Sequence, residues 1–380
     1  MSSMKGSQNA RIKRPSCYDS IRLRGFVDTR LINGYIHVNI LADKLKKVPD
    51  ETKILIRELW SHPNKKRVRL ERLGGKTSAG KGFVIDGNTV VDGLTRRIKD
   101  WFETHTNNNT DLPQYMLDYF NFFTSHEEYK TIISTIESHD KSQKVRCKNT
   151  RIMDPMRHGS VVHQEMYNAV RYILKISEIT SNKQKLPKKF SIDQCTKSCL
   201  IALINSDLIP VTSEWPCYVE DGSGCATAID LVCVDLRNNC KLRIIELKTG
   251  NAAKALKPSI NFIGNYQYNR ASMDSLQLLI STFFASRCYG SKFFDVEDQT
   301  NFSKLMGLLY INSSYSVVLN VPQIICKTDH VRDLCQKILN REEGGSLRSE
   351  LNVECNTQAL KTTKKTIRKR EPKVFKVGFS

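Results

Sequence analysis

The chain has no apolar run approaching the ~20 residues a membrane-spanning helix needs, and its N-terminus lacks the apolar core of a secretory signal. Its twelve cysteines include no Cys-x-x-Cys pair. Zinc sites and iron–sulfur clusters are usually built from close pairs, so no cluster is expected, and scattered thiols without a signal read as reduced side chains of an intracellular protein. Cys195 and Cys199, one helical turn apart, are the spacing that keeps metal ligation open. Gly-x-Ser-x-Gly is also missing, which removes the serine-hydrolase elbow. Acids are scarce: 39 Asp and Glu stand against 59 Lys and Arg, for a formal charge of +20. Such an excess favours a polyanion, through neutralised phosphates and released counterions. A ribosome-associated or membrane-surface basic protein would share that composition.

At 380 residues there is room for one large domain or two ordinary ones. Residues 1–20 read as a disordered basic arm carrying Lys5, Arg11, Lys13 and Arg14, with an organellar transit peptide as the alternative. From Ile21 to about Val91 the pattern suggests short strands and turns, such as Tyr35–Ile40 and Gly82–Ile85, followed by a helix over Leu94–Glu103. Thr104–Pro113 is a loop by composition, and Tyr115–Ile136 is helical. A boundary near 150 separates this region, of unassigned fold, from a second one over 151–340. There, Val162, Met166, Ala169, Val170, Ile173 and Leu174 mark an amphipathic helix within Gly159–Ile179. A helix over Phe190–Leu208 precedes strands at Val211–Val219, Ala228–Val234 and Leu242–Leu247. The turns between them are predicted at Asp221–Gly224 and Asn238–Asn239. An amphipathic helix over Ser272–Ser286 and two strands within Leu305–Val321 complete the region, and residues 341–380 form a basic tail. The implied class is α/β, a mixed central sheet flanked by helices behind an N-terminal α+β region.

The chemistry concentrates in Ala228-Ile-Asp-Leu-Val-Cys-Val-Asp235 and Leu242-Arg-Ile-Ile-Glu-Leu-Lys-Thr-Gly250. Asp230 and Glu246 each interrupt an apolar strand, where an ionised side chain needs a partner. Residues two apart on a strand face the same way, so Glu246 and Lys248 point together. Carboxylates with open positions suit Mg²⁺, with Mn²⁺ able to replace it. Lys248 would orient an attacking water, or take its proton if its pKa is depressed. The Leu247 carbonyl is a further candidate ligand. Read blandly, Glu-x-Lys is a common edge-strand ion pair, and Asp230 is what lifts it above that.

Four elements in order, Gly159-Ser-Val-Val-His163, Ile229-Asp230, Glu246-Leu-Lys248-Thr-Gly250 and Gln277-Leu278, make residues 157–285 resemble the RecB-like branch of the PD-(D/E)XK nucleases. The resemblance implies a restriction-endonuclease-like core and metal-dependent hydrolysis of DNA phosphodiesters, more often exonucleolytic, in repair, recombination or genome processing. It implies Asp230 and Glu246 as metal ligands, Lys248 as the catalytic lysine, His163 as a further ligand or phosphate contact, and Gln277 as a residue that fixes the lysine or touches DNA. Glu214 resembles an auxiliary acid of some members. The family's helix often carries an aromatic four residues after the glutamine, where this chain has Ser281. The implied location is intracellular, at the nucleus or a site of DNA replication, with the mitochondrion as the transit-peptide alternative. A DNA-binding protein with a vestigial site and an RNA-processing nuclease are the rival readings.

Two other signals are weaker. Gly75-Lys-Thr-Ser-Ala-Gly-Lys81 resembles a phosphate-binding loop, but Gly82 occupies the position that should offer a hydroxyl to Mg²⁺. Lys254, Lys257, Tyr266 and Arg270 mix basic and aromatic character in a way that suits a nucleic-acid groove.

Overall fold

The computed structural model describes residues 32–72, 81–86, 89–108, 114–125, 127–144, 155–180, 186–218, 225–250, 252–257, 262–263, 266–298, 301–312, 316–321 and 328–339. The basic arm, the Asp221–Gly224 turn, the basic tail and most of the Gly75–Lys81 loop lie outside them.

After a two-residue strand, Ile32–Asn33, paired with Ser191–Ile192, come two helices where a short strand was expected at Tyr35–Ile40: α1 (Tyr35–Lys46) and α2 (Asp50–Ser61). Tyr35–Ile40 alternates like a strand, yet Val38, Leu41, Ala42 and Leu45 are the residues buried, at helical spacing, while Ile36 and Ile40 are exposed. The periodicity that decides lies beyond the six-residue window. A three-stranded antiparallel wing follows, β1 (Val68–Arg72), β2 (Lys81–Ile85) and β3 (Thr89–Gly93). Next come α3 (Leu94–Asn108), α4 (Gln114–Ser125) and α5 (Glu127–Lys144). Helix α3 runs five residues, Thr104–Asn108, into the stretch expected to be loop.

Helix α6 (Pro155–Ile176) buries the predicted stripe from Val162 to Leu174. Helix α7 (Gln194–Asn205) is capped by Asp193, whose carboxylate accepts the Cys195 and Thr196 amides at 2.6 and 3.3 Å. A meander of β4 (Leu208–Tyr218), β5 (Cys225–Asp235) and β6 (Lys241–Thr249) follows. After the short helix α8 (Ala252–Leu256) comes α9 (Arg270–Tyr289), then β7 (Met306–Ile311), β8 (Val317–Asn320) and α10 (Thr328–Leu339).

The protein is therefore mixed α/β. Its central sheet has five strands in the order β4-β5-β6-β7-β8, with β6 and β7 parallel and the other neighbours antiparallel. The wing joins through β3, which pairs in parallel with β5 at Asp92–Cys225 and Gly93–Ala226. Buried side chains on both sides of residue 150, from Val38 to Ile338, form one apolar core. Helix α9 is buried nearly all round rather than amphipathic, made possible by small residues such as Ala271, Ser272, Ser275 and Ala285. Its start is fixed by the buried Asn269, which accepts the Ser272 amide at 2.9 Å and donates to the Leu256 carbonyl at 2.8 Å. Cys195 and Cys199 are buried, burial pushes both thiols up, and Cys199 packs on Met166. They are core side chains, not a metal pair. No helix among the described residues is long and apolar enough to cross a membrane.

Candidate metal centre

The site lies where the sheet comes apart. The β5–β6 ladder ends at Leu231–Ile245, and β3 occupies the same edge of β5 only at Cys225 and Ala226. Between Ala226 and Leu231 that edge has no strand partner among the described residues. Asp230 sits in this gap, and its Oδ2 accepts the Leu247 amide at 2.7 Å, replacing the ladder bond the splayed strand has lost. The amide and carbonyl of one strand residue point to the same edge, so the Leu247 carbonyl faces the gap as well.

Two helices reach this point from opposite faces. Gly159 of α6 faces Thr249, where an added Cβ would lie 3.2 Å from Oγ1. Asp274 and Gln277 of α9 instead meet Lys248 and Glu246. Adjacent strand residues face opposite ways, so the helices lie on the two sides of β6, and the gap lets side chains from both converge. Glycine at 159 permits the close approach that brings His163 in. His163 Nδ1 lies 2.6 Å from Glu214 Oε1 and 3.6 Å from Asp230 Oδ1. Donor atoms of these three residues all lie within 4.8 Å of one another.

Glu214 reaches this group through its backbone. It lies between the Ser213–Leu231 and Trp215–Ile229 pairs, opposite Asp230, with a φ of 52°. The left-handed region is uncommon for a residue with a Cβ and costs on the order of 1 kcal/mol. The sequence suggested an auxiliary acid here; strand register and backbone conformation put it against His163.

On the α9 side, Glu246 Oε1 accepts the Lys248 ammonium at 2.8 Å and the Gln277 amide at 2.9 Å. Gln277 Oε1 in turn accepts from Lys248 Nζ at 3.2 Å, closing a triangle. Asp230 and Glu246 are 9% and 5% exposed. Four carboxylates, Glu214, Asp230, Glu246 and Asp274, thus crowd around one imidazole and one ammonium. Burial and the neighbouring Glu246 raise the Asp230 carboxyl to about 7. Burial lowers the His163 pKa, but Asp230 and Glu214 outweigh it and hold the imidazole at about 9. Lys248 follows the same logic: burial is overcome by Glu246, Asp274 and Asp230, and its pKa lies above the usual lysine value. A lysine of depressed pKa, poised to take a proton, is therefore not what this arrangement holds.

No family model and no curated protein matches the chain.

The residues suit a hard divalent cation. A buried carboxyl, Asp230, that keeps its proton against its ordinary acidity marks a deficit of positive charge, and oxygen and imidazole donors match Mg²⁺ or Mn²⁺. Asp230, Glu246, His163, Glu214 and the Leu247 carbonyl are the groups that would hold it. The expected groove residues are not among these groups. Lys254 and Lys257 are exposed at α8, and Lys257 pairs with Glu137. Tyr266 lies in a two-residue strand beside Ile263, and Arg270 opens α9 with its side chain 70% exposed, 3.7 Å from Asp274. Asp274 escaped the sequence reading, although its place three residues before Gln277 puts it on the same helix face.

Proposed function

We propose that this protein is a divalent-metal-dependent deoxyribonuclease, acting as an exonuclease, with a restriction-endonuclease-like core of the RecB-like kind. One observation carries the reading: Asp230, Glu246, Lys248, Gln277 and His163, chosen by their order in the sequence, converge on one opening in the sheet. An ion-pair network serving stability alone has no need to leave a strand edge unpaired or to gather four acids. The five-stranded mixed sheet between helices and the +20 chain support the same reading.

A bound Mg²⁺ would supply Lewis-acid polarisation of the phosphate and a water of lowered pKa. The chain's own residues do the rest. Asp230 and Glu246 provide buried negative charge, and the Leu247 amide fixes the Asp230 carboxylate in one orientation. Gln277, bonded to both Glu246 and Lys248, prevents the ammonium from swinging out to water. Lys248, held cationic, orients the attacking water and neutralises charge on the scissile phosphate. His163 and Glu214 close the opposite side and limit the entry of bulk water.

End-labelled single- and double-stranded DNA incubated with Mg²⁺ or with chelator tests this. Metal-dependent release of nucleotides, lost in Asp230→Ala and cut to a small residual rate in Lys248→Ala, is the expected result. Tight binding without product would leave a DNA-binding protein with a vestigial site. Preferential cleavage of RNA would move the substrate class.

A further inference from the structure

Glu246 and Gln277 are not the only groups on Lys248. Asp274 Oδ1 lies 3.6 Å from its ammonium. Asp274 is buried in α9, 9% exposed, and its second oxygen accepts a 2.7 Å hydrogen bond from the Tyr310 hydroxyl. Tyr310 belongs to β7, where parallel pairing places it in register with Lys248 and therefore on the same face of the sheet. With Oδ2 engaged by Tyr310, the carboxylate is oriented with Oδ1 toward the ammonium. Arg270, one turn earlier on α9, also approaches Oδ2, but through a largely exposed side chain.

This arrangement answers a need. A lysine side chain carries ~2 kcal/mol of rotamer entropy and stays in one place only if its ammonium is held. Its shortest contact, Glu246, is a carboxylate that a divalent cation would also claim. Asp274 is not among the groups gathered at His163, so it is free to keep its hold on the ammonium. The position one turn after Gln277 offers no substitute. Ser281 is buried there, and its hydroxyl has no partner among the described residues.

We propose that Asp274 and Tyr310 are positioning residues for Lys248: Tyr310 orients the Asp274 carboxylate, and Asp274 holds the ammonium at the opening between β5 and β6. The inference rests on the nuclease reading. It adds a carboxylate–tyrosine pair, drawn from α9 and the neighbouring strand, to the groups that set the position of the lysine.

The test is a pair of double-mutant cycles with two readouts. On labelled DNA with Mg²⁺, Asp274→Asn should lower kcat by roughly 10–100-fold with KM within ~3-fold, the range for residues that hold a reacting group through one intervening contact. Tyr310→Phe, which removes a single oxygen, should lower it by roughly 3–10-fold by the same argument. In a Lys248→Met background neither substitution should lower the residual rate further, because residues acting as a unit are not additive. The second readout needs neither metal nor activity. In chelator, Asp274→Asn should lower the Tm of the wild type but not that of Lys248→Met. Wild-type rates in both single variants would overturn the proposal, as would a full additive loss in the Lys248→Met background. If Asp274→Asn does not fold, Tyr310→Phe decides by the same criteria. If the wild type cleaves no DNA, the nuclease reading fails, and the melting cycle still reports whether Asp274 and Lys248 are coupled.

Discussion

Asp230→Asn should make the metal-free protein more stable while removing its response to metal. Asparagine keeps the shape and an oxygen to accept the Leu247 amide, but discards a charge buried beside Glu246 and Glu214. The sign follows from the direction of the shift. The Asp230 carboxyl is raised from an ordinary 3.8 to about 7, so the folded state binds its proton more tightly than the unfolded state does. Stability therefore falls as pH rises from about 4 to about 7, and the destabilisation is complete above that window. Each tenfold change in proton affinity corresponds to ~1.4 kcal/mol, so the full effect is roughly 4 kcal/mol. The attraction to His163 is already contained in that shift, so Asp230→Asn should be the more stable protein at pH 8 in chelator, by up to about 4 kcal/mol. Thermal melting at pH 5 and pH 8 reads this directly: the variant should exceed the wild type at pH 8, with the gap closing at pH 5. Mg²⁺ at 100 times its dissociation constant should then stabilise the wild type by ~2.7 kcal/mol and leave the variant unmoved. A variant less stable than wild type in chelator at pH 8, or an equal Mg²⁺ response in both proteins, would refute the account of Asp230 as a charge held for a cation.

Other substitutions probe the supporting structure. Glu214→Gly and Glu214→Ala should both weaken Mg²⁺ stabilisation, but the glycine variant should be the more stable by ~1 kcal/mol in chemical denaturation, because only it relieves the left-handed backbone. Gly159→Ala should press on Thr249 Oγ1, lower nuclease activity and reduce Tm, and Gly159→Ala with Thr249→Ala should recover most of the loss. Arg243→Met should cost about 3–5 kcal/mol in urea unfolding, since it strands the buried Asp235 and removes bonds to the Met306 carbonyl and Asn320 that tie β6, β7 and β8 together.

Where burial and periodicity agreed over a long stretch, local pattern was enough. The stripe from Val162 to Leu174 forms helix α6, and the runs around Asp230 and Glu246 form adjacent strands. Tyr35–Ile40 misled because six residues of alternation fit a strand as well as one edge of a helix, and only packing against α6 chooses the buried face. Asp274 and Tyr310 lay beyond local reading for a different reason. Tyr310 is 62 residues from Lys248 in the sequence, and only parallel pairing of β6 with β7 makes them neighbours.

By itself the sequence determined which residues carry charge into apolar strands, and hence that Asp230, Glu246 and Lys248 require partners, since an unpaired buried charge is too costly to persist. It also determined the helical face holding His163 and the spacing that sets Glu246 beside Lys248. Only the tertiary structure decided that the partners meet at an opening between β5 and β6, reached by α6 from one face and α9 from the other. It alone turned Glu214 toward His163 and set Tyr310 beside Lys248. Strand register, a splayed ladder and a left-handed residue arise from how distant segments pack, and the spacing of residues along the chain carries no record of them.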